Sequence, residues 1–294
     1  MPLSVTTLIP CYNRARFVHK TVQSALSQTY SNNKVVVIDD ASNDGTSGII
    51  TEFKNQCTLM RNITNIGAAA SLNRGIQYTQ SDLIAFLDSD DLWYPEKLES
   101  QVSVFEKYSD VGAVYTNGHA IDEYDNILYT LFPSNHEERN DFGRILTDCY
   151  ISAGSSTFVV RRDAIKKVGL FDERYRCSYD HDMWIRLSEI TSFYYLDKTL
   201  MAYRFHGKQL SQSRLQWELG FQILDNALKR RPEYLKFRNR RRAVLYYRLG
   251  VYDFSQGKYL ASAASIIRAV MNDFRRFLKI VTSKAGWTKI AKEI

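Results

Sequence analysis

Residues 83–91 have the sequence Leu83-Ile84-Ala85-Phe86-Leu87-Asp88-Ser89-Asp90-Asp91, in which an apolar run leads directly into three carboxylates. An uninterrupted apolar run of this length is typical of a strand that is buried on both faces, as in a parallel sheet. Open α/β sheets bind ligands beyond the carboxyl ends of their strands, so the acidic cluster is expected in a ligand crevice. Crowded carboxylates repel each other, and a divalent cation that also takes phosphate ligands relieves that repulsion. The alternative is a solvated acidic turn that caps the next helix.

Strand and helix patterns alternate on the amino-terminal side of this stretch. The predicted strands are residues 5–9, 34–38, 58–61 and 83–87, and the predicted helices are 17–28, 46–54 and 68–78. The sequence therefore predicts the α/β class, with a doubly wound and mostly parallel sheet. Because right-handed crossovers place the carboxyl ends of such strands along one edge, residues 10–13, 39–40 and 88–91 are expected to converge on one crevice.

The later half of the chain is predicted to continue with short elements and then to become helical. The predicted strands are residues 111–116, 156–160, 193–196 and 200–203, and the predicted helices are 96–108, 164–168, 181–190, 240–255 and 259–279. Residues 121–150 carry no clear period, which favours a variable binding loop. Gln256-Gly257 is expected to form a turn between the last two helices.

Length and composition indicate an ordinary globular protein. The chain has 294 residues, of which 45% are hydrophobic and 24% charged, and no run approaches the ~18 apolar residues of a membrane span. The first ten residues lack the basic segment and long apolar stretch of a signal peptide, so a cytoplasmic location is expected. The four cysteines form no Cys-x-x-Cys pair and are expected to be reduced thiols; they are Cys11, Cys57, Cys149 and Cys177.

The net charge of +7 is unevenly distributed. Residues 215–294 contain 17 Lys and Arg against 6 Asp and Glu, a balance of +11, which leaves 22 against 26, or −4, for residues 1–214. This asymmetry predicts two regions, residues 1–213 and a basic helical extension at 214–294. The basic residues alternate with aromatic ones, a combination that favours an anionic membrane surface. The alternative is a helical hairpin with a solvated basic face, and nucleic-acid binding is disfavoured because no recognition motif accompanies the charge.

Four motifs occur in the order found in a known family. They are Leu8-Ile9-Pro10-Cys11-Tyr12-Asn13, residues 37–46 with Asp39-Asp40, residues 86–91, and Gly169-Leu170-Phe171-Asp172-Glu173. The chain resembles the family-two glycosyltransferases over about residues 3–213. The resemblance implies the A-type glycosyltransferase fold, a nucleotide-diphosphate sugar donor, Mn²⁺ or Mg²⁺, and inversion of the anomeric centre.

The resemblance places the nucleotide side of the donor at the ends of the first two strands. It implies that Pro10 and Tyr12 line this side, with Tyr12 stacked on the nucleobase, and that Asp40 hydrogen-bonds the edge of the base. A carboxylate accepts hydrogen bonds only, so it would read an imino N–H, which favours uracil or thymine over cytosine. Arg14 is a candidate phosphate contact, with a solvated surface arginine as the alternative. Asp39 is expected to support the turn.

The same resemblance assigns the acidic cluster to the metal and the ribose. Asp90 is the first candidate for a metal ligand, and Asp88 or Asp91 is expected to hold the ribose or a metal-bound water, with Ser89 between them. His206 lies in a late motif and is expected near the metal or the diphosphate. Lys208 and Ser211 are weaker phosphate candidates.

The base of an inverting transfer is predicted at Asp180, which precedes a short helix. A carboxylate opposite the leaving group takes the proton of the acceptor hydroxyl as its oxygen attacks. An aspartate with an ordinary pKa is already ionised at neutral pH, so no large shift is required. Asp182 is the competing carboxylate, and its alternative role is to complement the helix dipole.

Two further segments receive weaker assignments. Many members of the family have an arginine where Leu72 stands, which removes one expected phosphate contact, and Asn73 remains a candidate for the nucleotide side. Residues 154–157 are expected to line the acceptor side. Three aromatic residues are predicted either to stack on sugar faces or to lie in the core, namely Trp93, Tyr179 and Trp184.

Together these patterns predict an inverting, metal-dependent transferase. Its donor would be a UDP- or dTDP-sugar and its acceptor a hydroxyl of a glycan or lipid-linked molecule, in cell-surface polysaccharide assembly, either free in the cytoplasm or peripheral on the inner face of the plasma membrane. One alternative is a sugar nucleotidyltransferase, which would normally have a Gly-rich phosphate loop that the sequence lacks. The other is a non-catalytic nucleotide-sugar-binding module.

Overall fold

The computed structural model describes residues 2–132, 142–148, 154–207 and 213–282. The chain divides into two compact units, the first formed by residues 1–140 and 151–207 and the second by residues 141–150 and 208–294. The predicted division at residue 213 stays a prediction, and these units differ from it by assigning residues 141–150 and 208–213 to the second unit.

The first unit contains the alternating elements that the sequence predicts and two strands that it does not, at residues 92–93 and 127–130. Its strands are β1 (Val5–Cys11), β2 (Asn33–Asp39), β3 (Thr58–Arg61), β4 (Leu83–Phe86), β5 (Leu92–Trp93), β6 (Val111–Ile121), β7 (Ile127–Thr130), β8 (Val159–Arg161) and β9 (Ser192–Arg204). Its helices are α1 (Val18–Leu26), α2 (Thr46–Thr51), α3 (Ala68–Tyr78), α4 (Lys97–Lys107), α6 (Arg162–Val168) and α7 (Tyr179–Ser188). α5 (Phe142–Asp148) lies between them in sequence and belongs to the second unit.

These strands form one mixed sheet with the order β3-β2-β1-β4-β8-β6-β9-β5, and β7 pairs with β6. β3, β2, β1 and β4 are mutually parallel, whereas β8 is antiparallel to both β4 and β6. The predicted doubly wound, mostly parallel sheet is therefore confirmed. β1 and β4 are buried along their whole length, as expected for strands covered by helices on both faces.

Close packing of α3 on the sheet depends on one glycine. A Cβ atom added to Gly75 would lie 2.8 Å from Cδ2 of Leu8 and 3.1 Å from Cδ1 of Ile38. Real Cβ atoms do not approach other carbons so closely, so only glycine allows α3 to rest at this distance from β1 and β2. This contact fixes the position of α3 on the sheet.

The bounds of β8 and β9 differ from the sequence prediction. Residues 192–204 form the single strand β9 rather than two strands, and its pairing with β6 contains register shifts. Those shifts let one strand continue through a sequence whose hydrophobic pattern is interrupted. β8 begins at Val159 because Ser155–Thr157 form a 3₁₀ turn.

The second unit is helical. It contains α5, α8 (Arg214–Arg230), a 3₁₀ turn at Pro232–Phe237, α9 (Arg238–Ser255), α10 (Tyr259–Asn272) and α11 (Phe274–Thr282). α9 is central, since it contacts α5, α8, α10 and α11. The single helix predicted at 259–279 is broken at Asp273, which has an extended backbone. Within residues 2–132, 142–148, 154–207 and 213–282, no helix is both long and apolar enough to cross a bilayer.

Candidate active site

The strand ends that were predicted to converge are joined by backbone hydrogen bonds. The amide of Asp40 donates to the carbonyl of Cys11 at 2.8 Å, and the amide of Leu87 donates to the carbonyl of Leu8 at 3.0 Å. The turns that follow β1, β2 and β4 therefore meet at one edge of the sheet. Cys11 is buried there, and among the described residues Cys11, Cys57 and Cys177 form no disulfide, whereas Cys149 lies outside them.

Backbone strain marks this edge. In the described part of the chain, four residues other than glycine have a positive φ, and three of them adjoin predicted site residues: Asn13 follows Tyr12, Ala41 follows Asp40, and Ser178 lies two residues before Asp180. A left-handed conformation costs roughly 1–2 kcal/mol for a residue with a Cβ atom. Such strain persists only where the surrounding structure enforces the conformation, and strained residues are often found at functional sites.

Within the acidic cluster, Asp90 is the carboxylate that contacts the side-chain nitrogens of Arg14 and His206. Its Oδ2 accepts hydrogen bonds from Nε of Arg14 at 3.1 Å and from Nε2 of His206 at 2.9 Å. Burial alone would raise the pKa of Asp90, but His206 and Arg14 lower it below its ordinary value. The Asp90 carboxylate is thus stabilised in its ionised form.

Asp88 and Asp91 instead take neutral hydroxyl partners from the 3₁₀ turn before β8. Ser155 donates to Oδ1 of Asp88 at 3.0 Å, and Ser156 donates to Oδ2 of Asp91 at 2.6 Å. The amide of Asp88 donates to the same Ser156 hydroxyl at 2.9 Å. The second oxygen of Asp91 accepts the Arg204 amide at 2.9 Å. Two serines therefore hold two carboxylates that would otherwise repel each other.

The electrostatics of these carboxylates differ accordingly. Burial, reinforced by the charge of Asp90, raises the pKa of Asp88 to about 7. Burial and the charges of Asp90 and Asp88 also raise the pKa of Asp91 well above its ordinary value. One ionised carboxylate beside two with raised pKa values is a site in which added positive charge would be stabilising.

The donor set fits a divalent cation that shares its coordination with phosphates. Among the described residues, no group of three or more acidic, histidine or cysteine side chains forms a complete metal cage. Asp90 and His206 are in contact, and the charge of Asp90 helps to raise the pKa of Asp88. Mg²⁺ and similar hard cations are commonly held by one or two carboxylates together with substrate phosphates rather than by an all-protein cage. Asp90, Asp88 and His206 are the residues that could supply this partial set.

Asp180 lies in the first turn of α7, and its charge contributes to the raised pKa of Asp88. Burial raises the pKa of Asp180 itself, opposed by a hydrogen bond that its Oδ1 accepts from the His181 amide at 2.8 Å. The sequence did not require this shift, which moves the group toward the working range of a general base. Asp182 is buried and pairs with Nε of Arg186 at 2.8 Å. Of the two competing carboxylates, Asp182 is thus committed to its own helix.

On the other side of the edge, Asp40 holds the loop that starts α3. Its Oδ1 accepts hydrogen bonds from Nδ2 of Asn62 at 2.7 Å and from the Ile66 amide at 2.9 Å, and its Oδ2 accepts from the Gly67 amide at 2.8 Å. A carboxylate has about four acceptor positions, so about one remains for a ligand. Tyr12, which directly follows β1, is 43% exposed.

Several residues are placed differently from their predicted roles. Asn73 donates to the carbonyl of Phe171 and to Glu173, and it accepts the Phe171 amide, all at 2.9 Å. Its amide is fully used inside the protein, so a direct nucleotide contact is not favoured. The same holds for Asp91, which is fully buried with both oxygens occupied.

Other predicted residues also support the structure from within. Pro10 is buried in β1 opposite Ile38. Ser89 is buried, and its carbonyl accepts the Thr21 hydroxyl at 3.1 Å. Asp39 accepts the Ser42 amide at 3.0 Å, as a residue that supports a turn would. Lys208 and Ser211 lie outside the described residues.

The three aromatic residues with two predicted roles all lie in the core. Trp184 stacks on Phe158 with ring centroids 3.9 Å apart, and Tyr179 meets Phe171 edge to face. Trp93 is buried and donates its indole N–H to the carbonyl of Ser156 at 2.9 Å. The prediction that they stack on sugar faces is corrected, because buried rings cannot present a face to a sugar.

Comparison of the sequence with a family model identifies the family of this chain. A family model described as glycosyl transferase family 2 matches residues 6–169, more than half of the chain. This chain belongs to glycosyl transferase family 2. The family resemblance inferred from the four motifs is confirmed.

Relatives of this family 2 chain extend over most of its length. An uncharacterized glycosyltransferase of Rickettsia typhi is 29% identical over 214 residues, which cover 72% of this chain and 67% of that protein. Chondroitin synthase of Escherichia coli is 29% identical over 232 residues, which cover 77% of this chain but 33% of the synthase.

Solved structures support the fold of this family 2 chain. A mannosyltransferase from Pyrobaculum calidifontis, in complex with GDP-Man and Mn²⁺, has a TM-score of 0.64 at 17% identity, covering 100% of this chain and 84% of that one. Residues 1–349 of Staphylococcus aureus TarS, in complex with UDP-GlcNAc, give 0.61 at 16% identity, covering 94% and 91%. These similarities confirm the A-type glycosyltransferase fold.

Sequence reasoning missed the structural role of Ser155, Ser156 and Arg204 in this family 2 site. Residues 154–157 were predicted to line the acceptor side, yet both serines contact the acidic cluster. Arg204 is buried, and its Nε donates to the carbonyl of Asp90 at 2.7 Å. No local motif signals these contacts, since each joins residues more than 60 positions apart.

Proposed function

We propose that this family 2 glycosyltransferase is an inverting, metal-dependent enzyme that uses a UDP- or dTDP-sugar. The observation that carries the proposal is the meeting of the strand ends at one edge of the sheet, where Asp90 lies in contact with Arg14 and His206. Asp180, at the start of α7, is near enough for its charge to help raise the pKa of Asp88. A base and a diphosphate site must face each other across the reacting carbon for in-line displacement. Two carboxylate groups on separate elements that sense each other's charge are consistent with that arrangement.

The nucleotide side of the donor is proposed to lie at Tyr12 and Asp40. Tyr12 is exposed enough to stack on a base, and Asp40 retains about one acceptor position after bonding to Asn62, Ile66 and Gly67. That position would accept the imino N–H of uracil or thymine. Arg14 is proposed to leave Asp90 for a donor phosphate, because its guanidinium lies beside the carboxylate that is proposed to hold the cation and the diphosphate.

Asp90, Asp88 and His206 are proposed to hold Mn²⁺ or Mg²⁺ together with the diphosphate. Held there, such a cation would supply Lewis-acid stabilisation of the negative charge that develops on the leaving nucleoside diphosphate. Ser155 keeps Asp88 oriented by its hydrogen bond, so the carboxylate is in place before the donor arrives. Asp180 takes the proton of the acceptor hydroxyl, and burial raises its pKa and so strengthens it as a base.

The acceptor is proposed to be a hydroxyl of a glycan or of a lipid-linked molecule, in assembly of a cell-surface polysaccharide on the cytoplasmic side. A lipid-linked acceptor is presented at a membrane. The balance of +11 in residues 215–294 supports contact of that region with an anionic membrane surface.

The test is a donor screen with the purified full-length chain. Equilibrium binding and slow donor hydrolysis would be measured for UDP-, dTDP-, GDP- and CDP-sugars with Mn²⁺ and with EDTA. We expect binding and hydrolysis of a UDP- or dTDP-sugar that depend on the metal. Metal-independent binding, or a preference for CDP-sugars, would contradict the proposal. Donor binding without hydrolysis or transfer to any acceptor hydroxyl would favour a non-catalytic module.

A further inference from the structure

The contact between α9 and α10 is made by small residues. The buried residues of α10 are Ser262, Ser265 and Ala269. The Ser262 hydroxyl donates to the carbonyl of Gly250 in α9 at 2.8 Å. A Cβ atom added to Gly250 would lie 2.7 Å from Cδ1 of Ile266 and 3.3 Å from the carbonyl oxygen of Ser262. The two helices therefore approach closely, while the large side chains of Leu260, Ile267 and Met271 in α10 stay exposed.

Those large apolar side chains form a row on the opposite face. Leu260, Ala264, Ile267 and Met271 recur at the spacing of one helical face. All four are exposed, Leu260 by 90% and Met271 by 79%. The surfaces of water-soluble proteins rarely have so continuous a row of exposed apolar side chains unless the row binds a protein, a ligand or a membrane.

The row is extended by the first turns of α11. Phe274 and Leu278 are exposed and one helical turn apart, whereas Phe277 packs against Tyr247 of α9. We define the docking row as six of the exposed apolar side chains of these two helices, which follow the spacing described above. Its members are Leu260, Ala264, Ile267, Met271, Phe274 and Leu278.

Basic residues accompany the docking row. Residues 258–282 contain five Lys and Arg and one acidic residue, a balance of +4. The basic residues are Lys258, Arg268, Arg275, Arg276 and Lys279. The acidic residue, Asp273, accepts the Arg276 amide at 2.8 Å and so caps the start of α11. An apolar row accompanied by a positive charge balance is complementary to a surface that has an apolar interior and anionic groups at its boundary with water.

We infer that α10 and α11 lie on an anionic membrane, with the docking row inserted at the boundary between headgroups and acyl chains. This inference rests on the proposed membrane contact and assigns it to one face. Association of two copies through the same row is disfavoured, because it would bring two sets of like charges together. An amphipathic helix with basic residues beside its apolar face is typical of membrane-surface binding.

The proposed membrane contact lies on α10 and α11 and not on the basic stretch at residues 230–242. Arg241 is buried and donates to the carbonyl of Thr147 at 3.3 Å. Arg231 pairs with Glu233, and Arg238 lies 3.8 Å from Asp225. Basic side chains of that stretch thus help to hold the helical unit together.

The test compares full-length variants by co-sedimentation with vesicles. The vesicles contain phosphatidylglycerol and phosphatidylcholine, or phosphatidylcholine alone. We expect the unchanged chain to bind the anionic vesicles, and the Ile267→Asp, Met271→Asp double variant to lose at least about tenfold in partition, because two apolar side chains no longer insert. Arg275→Gln with Lys279→Gln should weaken binding and flatten its salt dependence.

Leu235→Asp is the matched control, since Leu235 is 53% exposed in the same unit but outside the docking row. It should bind vesicles as the unchanged chain does, and thermal unfolding would verify that every variant is folded. Equal losses in the control and the double variant would overturn the assignment to α10 and α11. So would a stable dimer at micromolar concentration that the double variant dissociates.

The two levels of the proposal fail in distinguishable ways. If the unchanged chain ignores anionic vesicles, both the membrane contact and this face are wrong. If it binds them and the double variant binds equally well, only the face is wrong. Metal-dependent donor hydrolysis, measured without vesicles, reports on the sugar chemistry independently of either result.

Discussion

In the first unit the largest apolar side chains, such as Phe86 and Trp184, are buried, and carboxylates stand at the edge of the sheet. In the second unit the relation is reversed on α10, where Ser262 and Ala269 are buried and Met271 is exposed. The first unit concentrates buried carboxylates in one place, which suits a small charged ligand. The second unit spreads apolar and basic groups along two helices, which suits an extended surface.

The largest effect is expected from Asp180→Asn, which tests the carboxylate site of the first unit. Asparagine keeps the shape but cannot accept the acceptor's proton, so transfer should fall by roughly 10²–10⁴-fold while donor binding is retained. The measurements are kcat for sugar transfer and the Kd of the donor. Asp182→Asn is the matched control two residues away on α7, and its transfer rate should stay within about tenfold of normal because Asp182 pairs with Arg186. Equal losses in both variants would contradict the assignment of the base.

The pH dependence of transfer sharpens the same assignment. Asp180 acts in its deprotonated form, and burial raises its pKa above the ordinary value. Activity should therefore be complete above the raised pKa and fall about tenfold per pH unit below it. The acidic limb of kcat/KM should lie above the range of an exposed aspartate near 3.9. A limb at that ordinary value would show that the buried environment does not tune the base.

Asp90→Ala tests the cation side of the cluster. Removing the carboxylate that contacts both Arg14 and His206 should weaken donor binding in Mn²⁺ by about 10–100-fold and leave binding in EDTA little changed. Calorimetric titration of the donor in each buffer gives both values. Asp110→Ala is the control, since Asp110 is an exposed acid of the same unit. Unchanged metal dependence in Asp90→Ala would remove Asp90 from the metal site.

The positions of these acids could be foreseen, but their partners could not. The rule that ligands gather beyond the ends of parallel strands places Asp40 and Asp88 together from the sequence alone. The serine contacts depend on β8 pairing antiparallel with β4, a pairing of residues more than 70 positions apart that no local pattern encodes. The break of the last predicted helix at Asp273 was likewise hidden, because the apolar period continues through it.

Ser156→Ala tests whether the missed serine turn stabilises the acidic cluster. The variant removes a donor to Asp91 and an acceptor for the Asp88 amide, leaving buried polar groups unsatisfied. A loss of about 1–3 kcal/mol in the free energy of unfolding is expected from urea titration. Ser103→Ala is the control, because that exposed hydroxyl bonds only locally to the carbonyl of Ser100, and its effect should stay within about 0.5 kcal/mol. Equal stability of the two variants would mean that water replaces the Ser156 hydroxyl.

The smallest expected effect concerns the reversed packing of the second unit. Gly250→Ala inserts a methyl group against Ile266 and the Ser262 carbonyl, so α10 must move away from α9. Overpacking of this kind costs about 1–3 kcal/mol, but alanine also favours the helix by roughly 0.5–1 kcal/mol, and the net loss should be about 1 kcal/mol. Amide hydrogen exchange in α9 and α10 would measure it locally. Gly48→Ala in α2 is the matched control, since no atom lies within 4 Å of its added Cβ, and helix propensity alone should make that variant neutral or slightly more stable. If Gly250→Ala behaved like Gly48→Ala, the close approach of α9 and α10 would not be what turns the large side chains of α10 outward.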